Sequence, residues 1–582
     1  MQINLGRAQN TYQLLFETDS VSAKWFNQNF TTKISKVDST AIPVEIKKIL
    51  KQLSQQSYLT ASVHEIAWRD TTCTVTILPG KPYKWIKLRR GNLNEELITA
   101  SGWRDDLFYN KPFNHDEYLQ RANLLLSYLE QNGYPFAQIT LDSILADSEG
   151  VSAQLNLNMG DLIRFDTIEV IGNVQIKSWF VSKYLGIKKG GVYNEQLLKN
   201  ADSRLSQLPY LQLTKPTLVY FVSTTAKPVV YLANRKSNRL DGVLGFAPAS
   251  NNNNNKLLVT GEANLKLQNL FGTGKAFDLS FRSFLSGSQD LNTRFLWPYI
   301  FKSSVGVEYE LGILKFDSTF LDVKQDLSVQ YRIIGNDHVK VFYRLQQTTL
   351  LRVDTNLIKL TESLPLANDV NNSAYGIGGS INRYDYYLNP RKGFSLELNA
   401  AIGRRRIVKN PTIDAIKFRK SNGESRSVYD TIQLSTVQYK LHLKADVFVP
   451  LTKRLVTRAE LKAGHVQSES LFLNELFRIG GLTTLKGFDE QAIFASSYGI
   501  INMELRYLLQ QNSNVLLFWN GAWYENAIRK PVLTDRPYGF GAGFNFETGA
   551  GVFSLYYAVG KQFDNPISFN RAKIHFGFVN YF

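Results

Sequence analysis

Residues 438–449 read QYKLHLKADVFV, and their alternation decides the fold. Tyr439, Leu441, Leu443, Ala445, Val447 and Val449 fall on one face of an extended strand; Lys440, His442, Lys444 and Asp446 fall on the other. The run is about as long as a tilted β-strand must be to cross a membrane, roughly ten residues. The pattern repeats downstream. Leu455, Thr457, Ala459, Leu461 and Ala463 alternate with Arg458, Glu460 and Lys462, and Ile501, Met503, Leu505 and Tyr507 alternate with Asn502, Glu504 and Arg506. A soluble sandwich with its apolar face turned inward shows the same parity, so alternation alone leaves both architectures open.

Loop lengths separate them. About sixteen strands are readable between residues 239 and 582, starting near Arg239, Leu257, Ala276, Asp290, Val305, Asp326, Val339, Ala374, Phe394, Gln438, Leu455, Tyr498, Val515, Tyr538, Gly551 and Ala572. Short connections (335–337, 389–393, 450–453, 547–550) alternate with long ones (350–373, 406–436, 465–497). Short turns on one side and long loops on the other mark an outer-membrane barrel. The even strand count predicts that the chain ends on the side where it enters, the periplasmic side of the short turns.

Ahead of the barrel, one unit of order strand, helix, helix, strand, strand is written three times at a spacing of about 75–80 residues. In the first, Pro43 opens a helix whose Ile46, Ile49, Leu50 and Leu53 form an apolar face. In the second, a helix over 115–131 carries Leu119, Ala122, Leu126 and Leu129, widened by Leu125, and Gly133 follows it. In the third, Asn194 caps a helix with Leu197, Leu198, Ala201, Leu205 and Leu208 inward. The expected domains are 1–82, 83–161, 162–236 and the barrel, 237–582.

Composition agrees. Aromatic residues make up 13% of the chain and charged ones 20%, and no run of some 18 apolar residues offers a transmembrane helix. The net charge of +17 comes from scattered lysines and arginines without a nucleic-acid motif. It fits a solvated surface and lumen near anionic lipid head groups. Cys73, the single cysteine, sits in an apolar run and reads as a buried side chain. No apolar signal-type stretch follows Met1, so a removed or trimmed export signal is expected. Gly274-Lys275 lacks the first glycine of a phosphate loop, and His64-Glu65 lacks the second histidine of a zinc helix. The other histidines show no metal-ligand spacing, and no nucleophile elbow occurs. No catalytic residue, metal or cofactor is expected; the chain does not read as an enzyme.

The segments IEVIGN (168–173), GYPFA (133–137) and KKGGVYNEQLLKN (188–200) resemble POTRA domains. That resemblance implies a periplasmic arm of three β-α-α-β-β modules that handles client chains by strand addition at an exposed sheet edge. The barrel segments NLFGTG (269–274), LNPRKGF (388–394), FRIGGLTTLKGFDE (477–490), GIINMELRY (499–507), LLFWNGAW (516–523) and GFGAGFNFETGAGVFSLYYAVG (539–560) resemble the bacterial surface antigen family of BamA/TamA-like assembly factors. The C-terminal strand, with Ile574, Phe576, Phe578 and the terminal Phe582 on one face, resembles the signal by which barrel proteins are recognised for insertion, with Asn580 where an aromatic is usual.

The resemblance implies an outer-membrane protein that inserts or exports unfolded client proteins, with outer-membrane lipid and accessory periplasmic or lipoprotein subunits as further partners and no nucleic acid. It implies a lateral seam between Arg239–Pro248, which contains Gly242 and Gly245, and Ile574–Phe582, which contains Phe576, Gly577, Phe578 and Phe582. It also implies that the loop before GIINMELRY folds into the barrel with Lys486, Gly487 and Phe488 at its tip. The usual aspartate partner of that tip stands here as Asn520, and Glu504 on the polar face of its strand is the candidate substitute. Two other readings compete. A two-partner secretion transporter exports one dedicated client and usually has two modules and an N-terminal plug helix; a passive porin or receptor leaves the arm unexplained.

Overall fold

The computed structural model describes residues 11–18, 23–147, 149–248, 257–284, 288–386, 389–419, 425–548, 551–565, 567, 569 and 572–579. Contacts divide the chain into two compact units: Met1–Arg164 with Gly190–Gln196 and Val222–Ala226, and Phe165–Lys189 with Leu197–Phe221 and Lys227–Phe582.

The first unit holds two α+β modules. In the first module the strand Thr11–Thr18 pairs in parallel with Thr72–Leu78, which pairs antiparallel with Ser62–Arg69. A strand absent from the sequence reading, Lys33–Asp38, adds to the other edge. Helix Ile42–Gln55 buries Ile49 and Leu53 against this sheet beside Leu14, Phe16, Cys73, Val75 and Ile77. The second module repeats the plan with strands Lys84–Arg89, Gln138–Ala146 and Val151–Asn158 and a short edge strand, Tyr109–Pro112. Its helix, His115–Gln131, is capped by the Asn114 side chain accepting from Glu117 N. The buried face is Tyr118, Ala122, Leu125 and Leu129 rather than one centred on Leu119 and Leu126. Leu125 lies one turn and Tyr118 three turns from Leu129, and they rotate the helix toward the aromatic core around Trp85, Trp103 and Phe108.

The third module departs from the reading in two ways. Its expected single helix is broken at Asn200 into Glu195–Lys199 and Ala201–Ser206, with Leu198, Ala201, Leu205 and Leu208 buried. Most of it also belongs to the barrel's unit rather than standing apart. Helix Ser178–Leu185 and the segment after Ser206 are hydrogen-bonded to the short turns: Lys177 N to Gly272 O (3.0 Å), Gly335 N to Tyr184 O (2.7 Å) and Gln207 Nε2 to Tyr384 O (2.8 Å). Gly274 is needed there, because a Cβ would stand 2.2 Å from the Phe180 ring.

The barrel sheet has sixteen long strands in sequence order: β1 (Arg239–Pro248), β2 (Leu257–Leu270), β3 (Lys275–Phe284), β4 (Ser288–Trp297), β5 (Val305–Phe316), β6 (Phe320–Ile334), β7 (Asp337–Leu350), β8 (Val370–Asn382), β9 (Gly393–Ile407), β10 (Ser435–Pro450), β11 (Leu455–Gln467), β12 (Ser497–Leu508), β13 (Asn514–Asn526), β14 (Tyr538–Thr548), β15 (Gly551–Lys561) and β16 (Lys573–Val579). A short strand, Leu533–Asp535, pairs with the end of β13. All neighbours are antiparallel, and β1 and β16 lie side by side. The strand β6 starts six residues before the expected Asp326, because only Asp317–Thr319 separates it from β5.

The orientation of the two faces settles the question left open by parity. Outward, Leu327, Val329, Tyr331 and Ile333 on β6 and Ile501, Met503, Leu505 and Tyr507 on β12 are exposed. Inward, Asp326, Ser328, Gln330 and Arg332 on β6 and Asn502 and Glu504 on β12 are buried. Apolar-out and polar-in is the arrangement of a barrel solvated by lipid. No helix among the described residues is long and apolar enough to cross a membrane. Ile358, Ile413 and Tyr429 of the long loops between β7 and β8 and between β9 and β10 share a core with Ile407 at the end of β9 and Phe472 of the β11–β12 loop.

Candidate functional site: the loop tip and the seam

The loop between β11 and β12 enters the lumen and lies on the inner wall of β11–β15. Strict alternation brings Arg458, Glu460 and Lys462 of β11 and Asn502, Glu504 and Arg506 of β12 to that wall. Register does the rest, setting Arg458 opposite Glu504 and Asn502 opposite Asn520 of β13.

At the tip, Lys486 Nζ lies 3.3 Å from Glu504 Oε1, with the lysine 6% and the glutamate 4% exposed. The glutamate is shared. Arg458 Nη1 approaches Oε1 at 3.2 Å, and Arg506 donates to Oε2 from Nε at 2.8 Å and Nη2 at 2.5 Å. Arg458 also pairs with Asp446 (2.7 Å) and Glu460 (3.0 Å), and Lys462 with Glu460 (3.1 Å). The sequence reading had paired Glu504 with Lys486 alone and missed both arginines, although each shares its polar parity. A carboxylate held by three cations is compensated where an isolated one would pay heavily for desolvation.

Asn520 is no ion partner. It is completely buried, and its Nδ2 donates to Lys486 O (3.2 Å) and Gly539 O (3.1 Å). Its cross-strand neighbour Asn502 donates to Thr484 O at 3.2 Å. Two adjacent asparagines therefore hold the backbone of the tip while Glu504 holds its charge. The glycines of the last strands make room for it. A Cβ on Gly539 would meet Lys486 O at 2.4 Å, and one on Gly560 would meet Gly487 O at 2.8 Å. Gly487 itself has φ +94°, open to glycine at little cost. Phe488 is buried beside Ile479, Leu485, Ile493 and Tyr498.

The root of the loop is anchored separately, at Arg405 on β9 and Glu475, which the sequence reading did not single out. Past the tip, adjacent carboxylates reach both flanks of the β1–β16 junction. Asp489 pairs with Lys573 on β16 at 2.7 Å, and Glu490 with Arg282 on β3 at 3.3 Å. Of the seam residues, Gly242 and Gly245 lie in β1, and Phe576, Gly577 and Phe578 lie in β16. Phe578 packs against Phe553 of β15, with ring centres 4.4 Å apart and the planes tilted by 34°. Asn580 and Phe582 lie outside the described residues. Among the described residues no group of three or more His, Cys, Asp or Glu is placed to hold a metal ion.

Comparison with known proteins agrees with this architecture. CdiB from Acinetobacter baumannii shares the fold at a TM-score of 0.51 and 13% identity, over 94% of this chain and 100% of that one. CdiB from Escherichia coli does so at 0.51 and 14%, over 93% and 97%. BamA from Haemophilus ducreyi lacking POTRA domains 1–3 aligns at 0.40 and 13%, over 85% and 99%. No curated protein sequence matches the chain. The Omp85 superfamily domain matches residues 269–582, more than half of the chain. With POTRA-like modules ahead of a sixteen-stranded barrel, the chain belongs to the Omp85 superfamily, whose β-barrel members are outer-membrane proteins.

Proposed function

We propose that this protein is an assembly or translocation factor for outer-membrane client proteins, with its modules in the periplasm. Client chains add as strands to module edges, and the barrel inserts or exports them at the junction of β1 and β16. The observation that carries the reading is the loop that straddles that junction from inside, with Asp489 bound to β16 and Glu490 to β3. Such half-exposed pairs are each worth about 0–1 kcal/mol, weak enough to release when a client strand competes. Edge strands Ser62–Arg69, Gln138–Ala146 and Leu211–Val222 end their sheets and expose Trp68, Leu145 and Tyr220, surfaces suited to an extended chain. The periplasmic placement rests on the third module's bonds to the short turns.

A disulfide across the junction tests this. Gly245→Cys is combined with Gly577→Cys and neighbouring β16 positions to scan the register. The locked barrel is expected to fold and to lose client assembly, with activity restored by reductant. Full activity in a demonstrably crosslinked protein would overturn the seam and leave export through the lumen, as in a two-partner secretion transporter.

A further inference from the structure

We propose that the cavity between the third module and the base of the barrel is a binding site for a phosphate group, carried by a phospholipid headgroup or free in solution. The cavity has a volume of about 310 Å³, and all its lining residues belong to the second unit. Its wall contains three cations, Lys266, Arg294 and Arg332, and no aspartate or glutamate.

Arg294 is already neutralised, by Glu308 at 3.0 Å from Nε and Asp278 at 3.1 Å from Nη1. Arg332 is not. It is 8% exposed, its Nε is buried without a hydrogen-bond partner, and Nη2 donates only to the neutral amide of Gln330, at 3.3 Å. Among the described residues it has no ion pair. Glu308, already bound to Arg294, acts on it only from beyond ion-pair distance; the Tyr299 ring lies 5.8 Å from the guanidinium carbon, and the Tyr299 hydroxyl is itself buried without a partner. A cation–π contact at that range does not compensate a desolvated guanidinium. Lys266 borders the same space and makes no ion pair among the described residues.

Two uncommitted cations and a free hydroxyl around one void call for an oxyanion. The planar guanidinium is suited to phosphate, which it engages through two parallel N–H groups. Phe180, Leu208, Leu296 and Pro298 complete the wall and offer an apolar surface beside the charge. The volume lies at the small end of ligand pockets, so it admits a headgroup but not an acyl chain.

The test uses the full-length chain in a sugar-based detergent. Orthophosphate and monomeric dihexanoyl-phosphatidylglycerol are titrated separately at constant ionic strength by calorimetry. Saturable binding of at least one probe is expected, weakened about tenfold or more by Arg332→Gln and several-fold by Lys266→Gln and Tyr299→Phe. Binding of orthophosphate alone assigns a soluble ligand; tighter binding of the lipid assigns a headgroup. Failure of both probes to saturate at millimolar concentration overturns the site, as does unchanged affinity in the variants. Should Arg332→Gln not fold, Lys266→Gln and Tyr299→Phe decide.

Discussion

Arg405 and Glu475 meet through two parallel hydrogen bonds, Nε to Oε1 at 2.6 Å and Nη2 to Oε2 at 2.8 Å, with the arginine fully buried. The carboxylate accepts two more bonds, from Gln438 Nε2 and Phe472 N, both at 2.9 Å. This joins the wall at β9 and β10 to the root of the inserted loop. Removing one member leaves the other charged and dry, at a cost of about 3–5 kcal/mol. Arg405→Ala is therefore expected to lower the melting temperature and open the loop root at 468–476 to protease. Arg405→Lys, which cannot bind through two points, should fall between it and the wild type. Wild-type protease resistance in Arg405→Ala would refute the anchoring role.

At the tip the two partners are not equivalent. Counting Asp446, Glu460 and Glu504 against Arg458, Lys462, Lys486 and Arg506 gives three negative and four positive charges in contact. Lys486→Ala leaves three against three, whereas Glu504→Ala leaves two against four. Glu504→Ala should destabilise the barrel by about 2–4 kcal/mol more than Lys486→Ala. Lys486→Ala should chiefly release the loop, read as protease sensitivity around residues 480–490. In a double-mutant cycle Lys486→Ala should add little in a Glu504→Ala background. Equal losses that add would remove Glu504 from the centre of the network.

Topology is testable by labelling. Leu360, on a helix in one long loop, is highly exposed, and Gln52 lies on an exposed helix face of the first module. Leu360→Cys is expected to react with a membrane-impermeant maleimide on intact cells, and Gln52→Cys only after the outer membrane is opened. The opposite result would invert the orientation.

Cys73 reports on the first module. Its side chain is fully buried among Leu14, Phe16 and Val75, and burial raises the thiol above its ordinary pKa, so less of it is thiolate at any given pH. Reaction with a thiol reagent should be slower than for the unfolded chain by two orders of magnitude or more, about the protection given by a few kcal/mol of opening free energy. Cys73→Ser places a hydroxyl in an apolar core and should cost about 1–3 kcal/mol. Rapid labelling under native conditions would show that the module opens readily.

Much of the candidate site was legible from strand parity. Alternation put Glu504 and Arg506 on the polar face, and the tip at Lys486–Phe488 was marked by its resemblance to the family. The bond from Arg458 to Glu504, the pairing of Asn502 with Asn520 and the Arg405–Glu475 anchor were not legible. Each joins residues on different strands or loops, and a register between strands is not encoded in any local pattern. Gly539 and Gly560 stand within the segment quoted for the family resemblance, but nothing in the sequence marked them as the bed of a loop from elsewhere in the chain.

What the sequence determined by itself is periodic: sixteen long strands with alternating faces, the rhythm of short and long connections, and modules with amphipathic helices. These follow from local geometry, period 2 in strands and 3.6 in helices, and need no knowledge of distant residues. Tertiary structure alone decided which face meets the outside, how the third module joins the barrel, and which charges neutralise one another. It also left Arg332 buried without an ion pair among the described residues, its Nε lacking a hydrogen-bond partner. Burial and Coulomb energy depend on everything within several ångströms in space, and in a closed sheet those neighbours lie tens to hundreds of residues apart along the chain.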